Sequence, residues 1–145
     1  MPQFIALTSQ GLGDVLAEEA KQLDLKVLKQ TTSQITFDSN WRGCYRANLG
    51  LRSATRVLLS VLNFPAYNED ELYNNILKHD FTKYIRPQQT LCVHSTVNQS
   101  GAFDNSNFVN QKVKDAVVDQ FRNKFGERPS VQKKDADLNL SLIHI

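Results

Sequence analysis

A change of hydrophobic period near the end of the chain limits its fold more than any other feature of the sequence. From Ser106 to Phe125 the apolar side chains recur every three or four residues, as they do in an amphipathic helix, and they are Val109, Val113, Ala116, Val117 and Phe121. From Leu138 onward the apolar residues alternate with polar ones instead, as in a strand with one buried face. The sequence therefore predicts a long helix, a turn and a half-buried strand.

Signals at both ends of this helix support its predicted bounds. Asn105 and Ser106 are suited to the N-cap, since a short polar side chain accepts hydrogen bonds from free N–H groups of the first turn. Gly126 suits the left-handed residue that ends a helix, and Pro129 prevents the helix from resuming.

The same unit carries most of the positive charge. Residues 105–134 hold seven basic and three acidic side chains, a local net charge of +4, whereas the whole chain carries +2. A local basic surface favours phosphate binding, although helix surfaces are also rich in lysine for solubility alone. Charge by itself leaves both interpretations open.

The residues before this unit predict further short strands and helices. We expect strands at residues 3–8, 26–30, 34–38, 54–64 and 90–97, and helices at 13–23, 41–49 and 69–78. Trp41, the only tryptophan, is predicted to be a core anchor. The polar segment 98–107 suits phosphate and sugar contacts and an ordinary loop equally well.

Several classes of function lack support in the sequence. No run approaches the roughly 20 apolar residues of a membrane span, and the first residues do not form a signal peptide, so we expect a cytoplasmic protein. Cys44 and Cys92 are expected to be reduced core thiols without metal-ligand spacing. No nucleophile, base and orienting group can be assembled, so we expect a chain with no catalytic residues and no metal site.

Two segments of the sequence resemble a known family. The run from Asn105 to Asp119, with Arg128-Pro129 and Asp137 after it, resembles the THUMP domain of bacterial 23S rRNA guanine-N2 methyltransferases. Its most specific part is the run from Lys112 to Ala116. The opening of the chain is similar to the opening of the same enzymes, through Phe4-Ile5-Ala6, Gly11-Leu12 and residues 51–59.

This resemblance implies an α/β (α+β) fold in two parts. A small N-terminal ferredoxin-like module, residues 1–43, would pack on a THUMP RNA-binding domain, residues 44–145, truncated at its C-terminal end, with a mixed sheet and helices. In such enzymes a methyltransferase domain that uses S-adenosylmethionine follows. Its Asn-Pro-Pro-Tyr and Gly-rich motifs do not occur in this sequence. The resemblance therefore implies an RNA-binding part without its own cofactor, which presents structured RNA, namely 23S rRNA, to a C-terminal methyltransferase domain of the same protein, with no membrane partner.

The basic helix and its flanks supply the candidate contacts with RNA, because THUMP domains hold structured RNA by its backbone and shape. We expect phosphate contacts from four cations and hydrogen bonds from two amides near the helix start, where anions are favoured: Lys112, Arg128, Lys133, Lys134, Asn105 and Asn107. Asp104 stands where some relatives carry a basic residue, which argues against a phosphate contact there. The alternatives are a THUMP domain of a tRNA-modifying enzyme and a protein-docking module, and steep salt dependence would favour RNA over apolar docking.

Overall fold

The computed structural model describes residues 1–95 and 105–142. The chain divides into two compact units, Met1–Asn63 and Phe64–Ile145. The first unit contains four strands and two helices in the described residues, in the order β1 Gln3–Leu7, α1 Gly13–Gln22, β2 Lys26–Gln30, β3 Gln34–Asp38, α2 Trp41–Gly50 and β4 Arg56–Leu59. Its strands form one antiparallel sheet in the order β2-β3-β1-β4.

The core of the first unit lies between this sheet and both helices. Phe4 of β1 and Phe37 of β3 are cross-strand partners, both fully buried, and their rings stack with centroids 5.6 Å apart. Leu16 of α1 and Ala47 of α2 pack into the same cluster. Aromatic pairs of this kind contribute about 0.5–1.5 kcal/mol beyond their burial.

The turn between β1 and α1 packs tightly against the β2–β3 hairpin. The N–H groups of Gly11 and Gly13 both donate to the carbonyl oxygen of Thr32, at 2.8 and 3.1 Å. A Cβ atom on Gly13 would lie 1.9 Å from the carbonyl oxygen of Thr31, so a glycine is required there. Gly13 therefore serves close packing, whereas Gly11 adopts a left-handed φ of 90° that few other residues tolerate.

Strand β4 is much shorter than the strand predicted at residues 54–64. Among the strands of the described residues it pairs only with β1, and the bond from the Ser60 N–H to the Gln3 carbonyl, at 2.9 Å, lies at the end of this pairing. Because β1 begins at Gln3, the apolar residues that follow Ser60 extend past the end of this partner strand. The prediction of a long strand here was wrong: apolar β-branched composition indicated a strand but not where its partner ends.

The first unit also extends beyond the boundary predicted between residues 43 and 44. That boundary falls inside α2, whose Ala47 is fully buried in the core of the first unit. Strand β4 then pairs with β1 and completes the sheet. Both elements are needed to bury the core, which is why the unit continues to Asn63.

The prediction that Trp41 is a core anchor was wrong. Its side chain is 54% exposed and meets Phe4 edge-on, with ring centroids 5.7 Å apart. The small residues Gly43 and Ala47 face the interior instead. A helix with small residues on its inner face approaches the sheet closely, which leaves its large side chains outside.

In its described residues, the second unit places two helices beside a three-stranded parallel sheet. Its elements are α3 Glu69–Leu77, a 3₁₀ turn Phe81–Lys83, β5 Thr90–Ser95, α4 Ser106–Phe125, β6 Ser130–Val131 and β7 Leu138–Leu142. The sheet order is β6-β5-β7. The predicted α/β class, with strands and helices in both units, is confirmed.

Helix α4 has the predicted bounds. The Asn105 side chain accepts from the Asn107 N–H at 2.9 Å, and Gly126 ends the helix with a φ of 72°. All five apolar residues predicted to form its inner face are buried, and Val118 joins them. In the described part of the chain, no helix has both the length and the apolar character needed to cross a membrane.

One side chain of α4 connects this helix to the end of α3. The Gln120 amide nitrogen lies 2.6–3.2 Å from three carbonyl oxygens that follow or end α3, those of Ile76, Leu77 and His79. Its amide oxygen accepts from the Phe81 N–H at 3.2 Å. Gln120 therefore satisfies backbone groups that the end of a helix leaves open.

We expect Gln120→Ala to lower the free energy of unfolding by about 1–3 kcal/mol, because it removes these bonds and leaves partly buried backbone groups unpaired. Urea denaturation followed by circular dichroism measures the change. Gln111→Ala is the matched control, since Gln111 is exposed on the same helix. Equal denaturation midpoints for the two variants would contradict the proposed role of Gln120.

Candidate nucleic-acid interface

The segment between β6 and β7, residues 132–137, crosses one face of the parallel sheet. Leu91 of β5 pairs with Val131 on one edge and with Leu138 on the other, so the chain has to pass over β5 between them. The carbonyl oxygen of Lys133 lies 3.9 Å from the Cys92 sulfur, which marks where it crosses. We call this segment the crossover loop.

Hydrogen bonds fix the crossover loop at both ends. At its start, the Gln132 N–H donates to the Leu91 carbonyl at 3.0 Å. At its end, the Asp137 carboxylate accepts from the N–H and hydroxyl of Thr90 at 2.9 and 3.1 Å, and the Asp137 N–H lies 3.0 Å from the same hydroxyl oxygen. Asp135 adopts a left-handed φ of 53° between them, a conformation that aspartate tolerates better than most residues.

Lys133 and Lys134 project from this fixed loop and are exposed. Within the described residues neither forms an ion pair. The Gln132 amide donates to the Lys134 carbonyl, which further fixes the backbone under the two side chains. An ordered backbone lowers the conformational entropy that is lost when the ammonium groups bind an anion.

Two arginines extend the free positive charge towards the end of α4. Arg122 and Arg128 are exposed and, within residues 1–95 and 105–142, form no ion pair. Arg128 precedes Pro129, which is fully buried and fixes the chain where it enters β6. Arg122 was not among the predicted contacts. In the sequence, the only indication that Arg122 is exposed was its position next to Phe121, the apolar residue of the helical period.

Lys112 occupies a different environment from the other predicted cations. Its ammonium nitrogen lies 3.7 Å from the Glu69 carboxylate and 6.0 Å from the centre of the Tyr73 ring, so it faces α3. Lys124 is engaged similarly, 3.7 Å from Asp80. The cations of residues 105–134 therefore differ in their partners: Lys112 and Lys124 contact α3 and the 3₁₀ turn, Lys114 pairs with Asp115 within α4 at 3.2 Å, and the others form no ion pair with the described residues.

The two predicted amide contacts lie at the far end of α4 from the arginines. Asn105 uses its side-chain oxygen as the N-cap, and Asn107 is exposed in the first turn. Helix α4 has 20 residues and is therefore about 30 Å long, which separates this end from Arg128. The six predicted residues thus do not form one cluster. Most of the predicted polar loop, including Asp104, lies outside the described residues.

Tyr73 and Asp119 join α3 to α4 beside Lys112. The Tyr73 hydroxyl donates to the Asp119 carboxylate, and this bond, together with burial and the nearby negative charge, raises the pKa of Tyr73 to about 12. The Lys112–Glu69 ion pair and the Tyr73–Asp119 hydrogen bond therefore position α4 against α3, and the Lys124–Asp80 ion pair positions it against the 3₁₀ turn. Among the described residues, no group of His, Cys, Asp and Glu is arranged to hold a metal ion.

Comparison with known proteins identifies both units. Residues 3–58 match the family model of the RlmL ferredoxin-like domain, and residues 66–143 match that of the THUMP domain. Fold and matches together define a protein with a ferredoxin-like module followed by a THUMP domain. Since the second match covers more than half of the sequence, the chain belongs to the THUMP family.

The similar curated proteins are rRNA methyltransferases. The ribosomal RNA large subunit methyltransferase K/L of Pseudomonas entomophila is 41% identical over 92% of this chain, and that of Pseudomonas syringae pv. tomato is 39% identical over the same share. The chain spans 18% of the length of each. A solved structure of a possible methylase from Clostridium difficile 630 shares the fold, with a TM-score of 0.80 at 22% identity over 98% of this chain and 38% of that one. The predicted resemblance to large-subunit rRNA methyltransferases is confirmed.

The raised pKa of Tyr73 predicts a loss of stability at high pH. An unfolded tyrosine ionises near pH 10, whereas Tyr73 in the folded protein keeps its proton to about pH 12. Its contribution is therefore complete below about pH 10 and decreases as the pH rises from about 10 to 12. We expect Tyr73→Phe to remove the phenol ionisation near pH 12 from the ultraviolet absorbance titration and to flatten this part of the stability profile.

Tyr67→Phe is the matched control for this experiment, because Tyr67 is 75% exposed. That variant should keep the ionisation near pH 12. If Tyr73→Phe also kept it, the bond to Asp119 would not be the cause of the shift.

Proposed function

We propose that this chain is the RNA-recognition part of an S-adenosylmethionine-dependent rRNA methyltransferase, and that it presents 23S rRNA for methylation at the N2 atom of a guanine. The observation that carries the proposal is the pair of exposed lysines on the fixed crossover loop of a THUMP domain. The names of the similar curated proteins support rRNA as the substrate class.

The free cations suit contacts with the RNA backbone better than recognition of bases. Lys133 and Lys134 act as point charges that a phosphate approaches from many directions, whereas Arg122 and Arg128 can each bind two phosphate oxygens with one guanidinium group. Contacts of this kind set the position of the RNA and carry no sequence information. The selection of one guanine would then belong to the domain that performs the methyl transfer.

The remaining predicted residues have secondary roles in this proposal. Asn105 and Asn107 would donate amide hydrogen bonds to a phosphate at the start of α4, where the helix dipole favours an anion. Lys112 would reach phosphate only in competition with Glu69, 3.7 Å away. We therefore expect Lys112 to contribute less than either lysine of the crossover loop.

Methyl transfer would take place in a further domain of the same protein. The chain corresponds to 18% of the length of its curated relatives, which are methyltransferases. In this proposal that domain binds S-adenosylmethionine, the present chain supplies neither cofactor site nor catalytic residue, and the whole protein acts in the cytoplasm.

The proposal predicts that Lys133→Ala/Lys134→Ala weakens binding to large-subunit rRNA hairpins and makes it less sensitive to salt. Each lost phosphate contact should lower the slope of log affinity against log salt by about 0.9 on a duplex, so the pair should lower it by about 2. Fluorescence anisotropy of labelled hairpins, titrated at several salt concentrations with tRNA as a competitor, measures both effects.

Lys26→Ala/Lys29→Ala is the matched control, because it removes the same charge from exposed lysines of β2 in the first unit. This control should reduce the slope far less. Equal effects of the two double variants would show that only net charge matters and would contradict a site on the crossover loop. Stronger competition by tRNA than by unlabelled rRNA hairpin would contradict rRNA as the substrate.

A further inference from the structure

Three large side chains form an exposed row along α2 of the first unit. Trp41 is 54% exposed, Tyr45 64% and Leu49 90%. They are spaced four residues apart, so they follow one another along one side of the helix. Single exposed apolar residues are common, but a continuous row including tryptophan and tyrosine indicates a contact surface.

Local packing explains why this row faces outward. Gly43 and Ala47 occupy the inner side of α2, and a Cβ atom on Gly43 would lie 1.6 Å from the Ser39 hydroxyl oxygen. No room exists there for a large side chain. The Trp41 ring is held by its contact with Phe4, so it is already ordered while more than half of it stays accessible.

The charges around this row favour an anionic occupant. Helix α2 contains two arginines and no acidic residue. Arg46 donates to the Leu23 carbonyl at 2.9 Å, whereas exposed Arg42 has no hydrogen bond or ion pair with the described residues. Residues 1–63 hold seven basic and five acidic side chains, a net charge of +2, whereas residues 64–145 hold ten of each.

We propose that this face of α2 is a second RNA contact, on which unpaired bases stack against Trp41 and Tyr45 while Arg42 binds a neighbouring phosphate. Leu49 extends the apolar surface for the next base or ribose. Every base has a flat face that stacks on an aromatic ring, so such a surface accepts many sequences but requires unpaired nucleotides. The ligand class is therefore RNA with a single-stranded loop or end.

This inference rests on the proposed function in that both require RNA as the ligand, but the two sites use different residues and different chemistry. The crossover loop and the end of α4 bind phosphates, which duplex RNA offers as well as a single strand does. The row on α2 needs exposed base faces, which a blunt duplex conceals. The two contacts can therefore be tested separately on the full chain.

Trp41 is the only tryptophan, so its fluorescence reports directly on this face. The full chain is titrated with a short single-stranded oligoribonucleotide, and then with the same strand paired to its complement. We expect the single strand to quench Trp41 and the blunt duplex to leave it almost unchanged. Tyr45→Ala should weaken binding of the single strand about tenfold. Tyr67→Ala, which removes an exposed tyrosine of the second unit, should not weaken it.

Each outcome separates this inference from the proposed function. Quenching of Trp41 that persists in Lys133→Ala/Lys134→Ala supports the α2 contact. If this variant also binds duplex RNA as tightly as the unmodified chain does, the phosphate site proposed on the crossover loop is contradicted, while the α2 contact stands. Unchanged Trp41 fluorescence with saturating single strand overturns the inference, as does a Tyr45→Ala variant that retains its circular dichroism and its full affinity. Either result would favour a protein partner over RNA as the molecule that contacts this row.

Discussion

Parallel pairing on both edges of β5 is the constraint on which the second unit depends. With β6 on one edge and β7 on the other, the short chain between them has to cross the sheet, and α4 packs against β5 as well. The crossing covers Cys92 and fixes two lysines on a backbone that hydrogen bonds hold at both ends. Sheet topology thus determines where the basic side chains are presented, which helix charge by itself would not do.

Ionic contacts separate the cations of residues 105–134 into those that pair with a carboxylate and those that form no ion pair with the described residues. Lys112 pairs with Glu69 and Lys124 with Asp80, while Gln120 and the Tyr73–Asp119 bond connect the same helices. Partly exposed ion pairs add little stability individually, about 0–1 kcal/mol, so their main effect is to orient α3 along α4. Among the described residues from 105 onward, the cations in no ion pair lie at the C-terminal end of α4, just after it and on the crossover loop: Arg122, Arg128, Lys133 and Lys134.

The sequence was sufficient wherever a local signal determined the structure. The bounds of α4 followed from Asn105, from Gly126 and from the helical period between them, and all three were correct. The alternation from Leu138 likewise predicted β7. Tertiary partners could not be read in this way: the end of β1 limited β4, small residues turned Trp41 outward, and Glu69 engaged Lys112. The spatial arrangement of the six candidate RNA contacts could not be predicted either, because linear proximity to α4 does not specify which end or side of the helix a residue occupies.

The position of Cys92 beneath the crossover loop has a kinetic consequence. The thiol is 4% exposed and lies against the loop backbone, within 3.2 Å of the His94 imidazole. An alkylating reagent can reach the sulfur only during the intervals in which the loop leaves the sheet. The rate at which this thiol is modified therefore measures how often the crossover loop opens. An anion bound by both Lys133 and Lys134 would make these openings rarer and lower that rate.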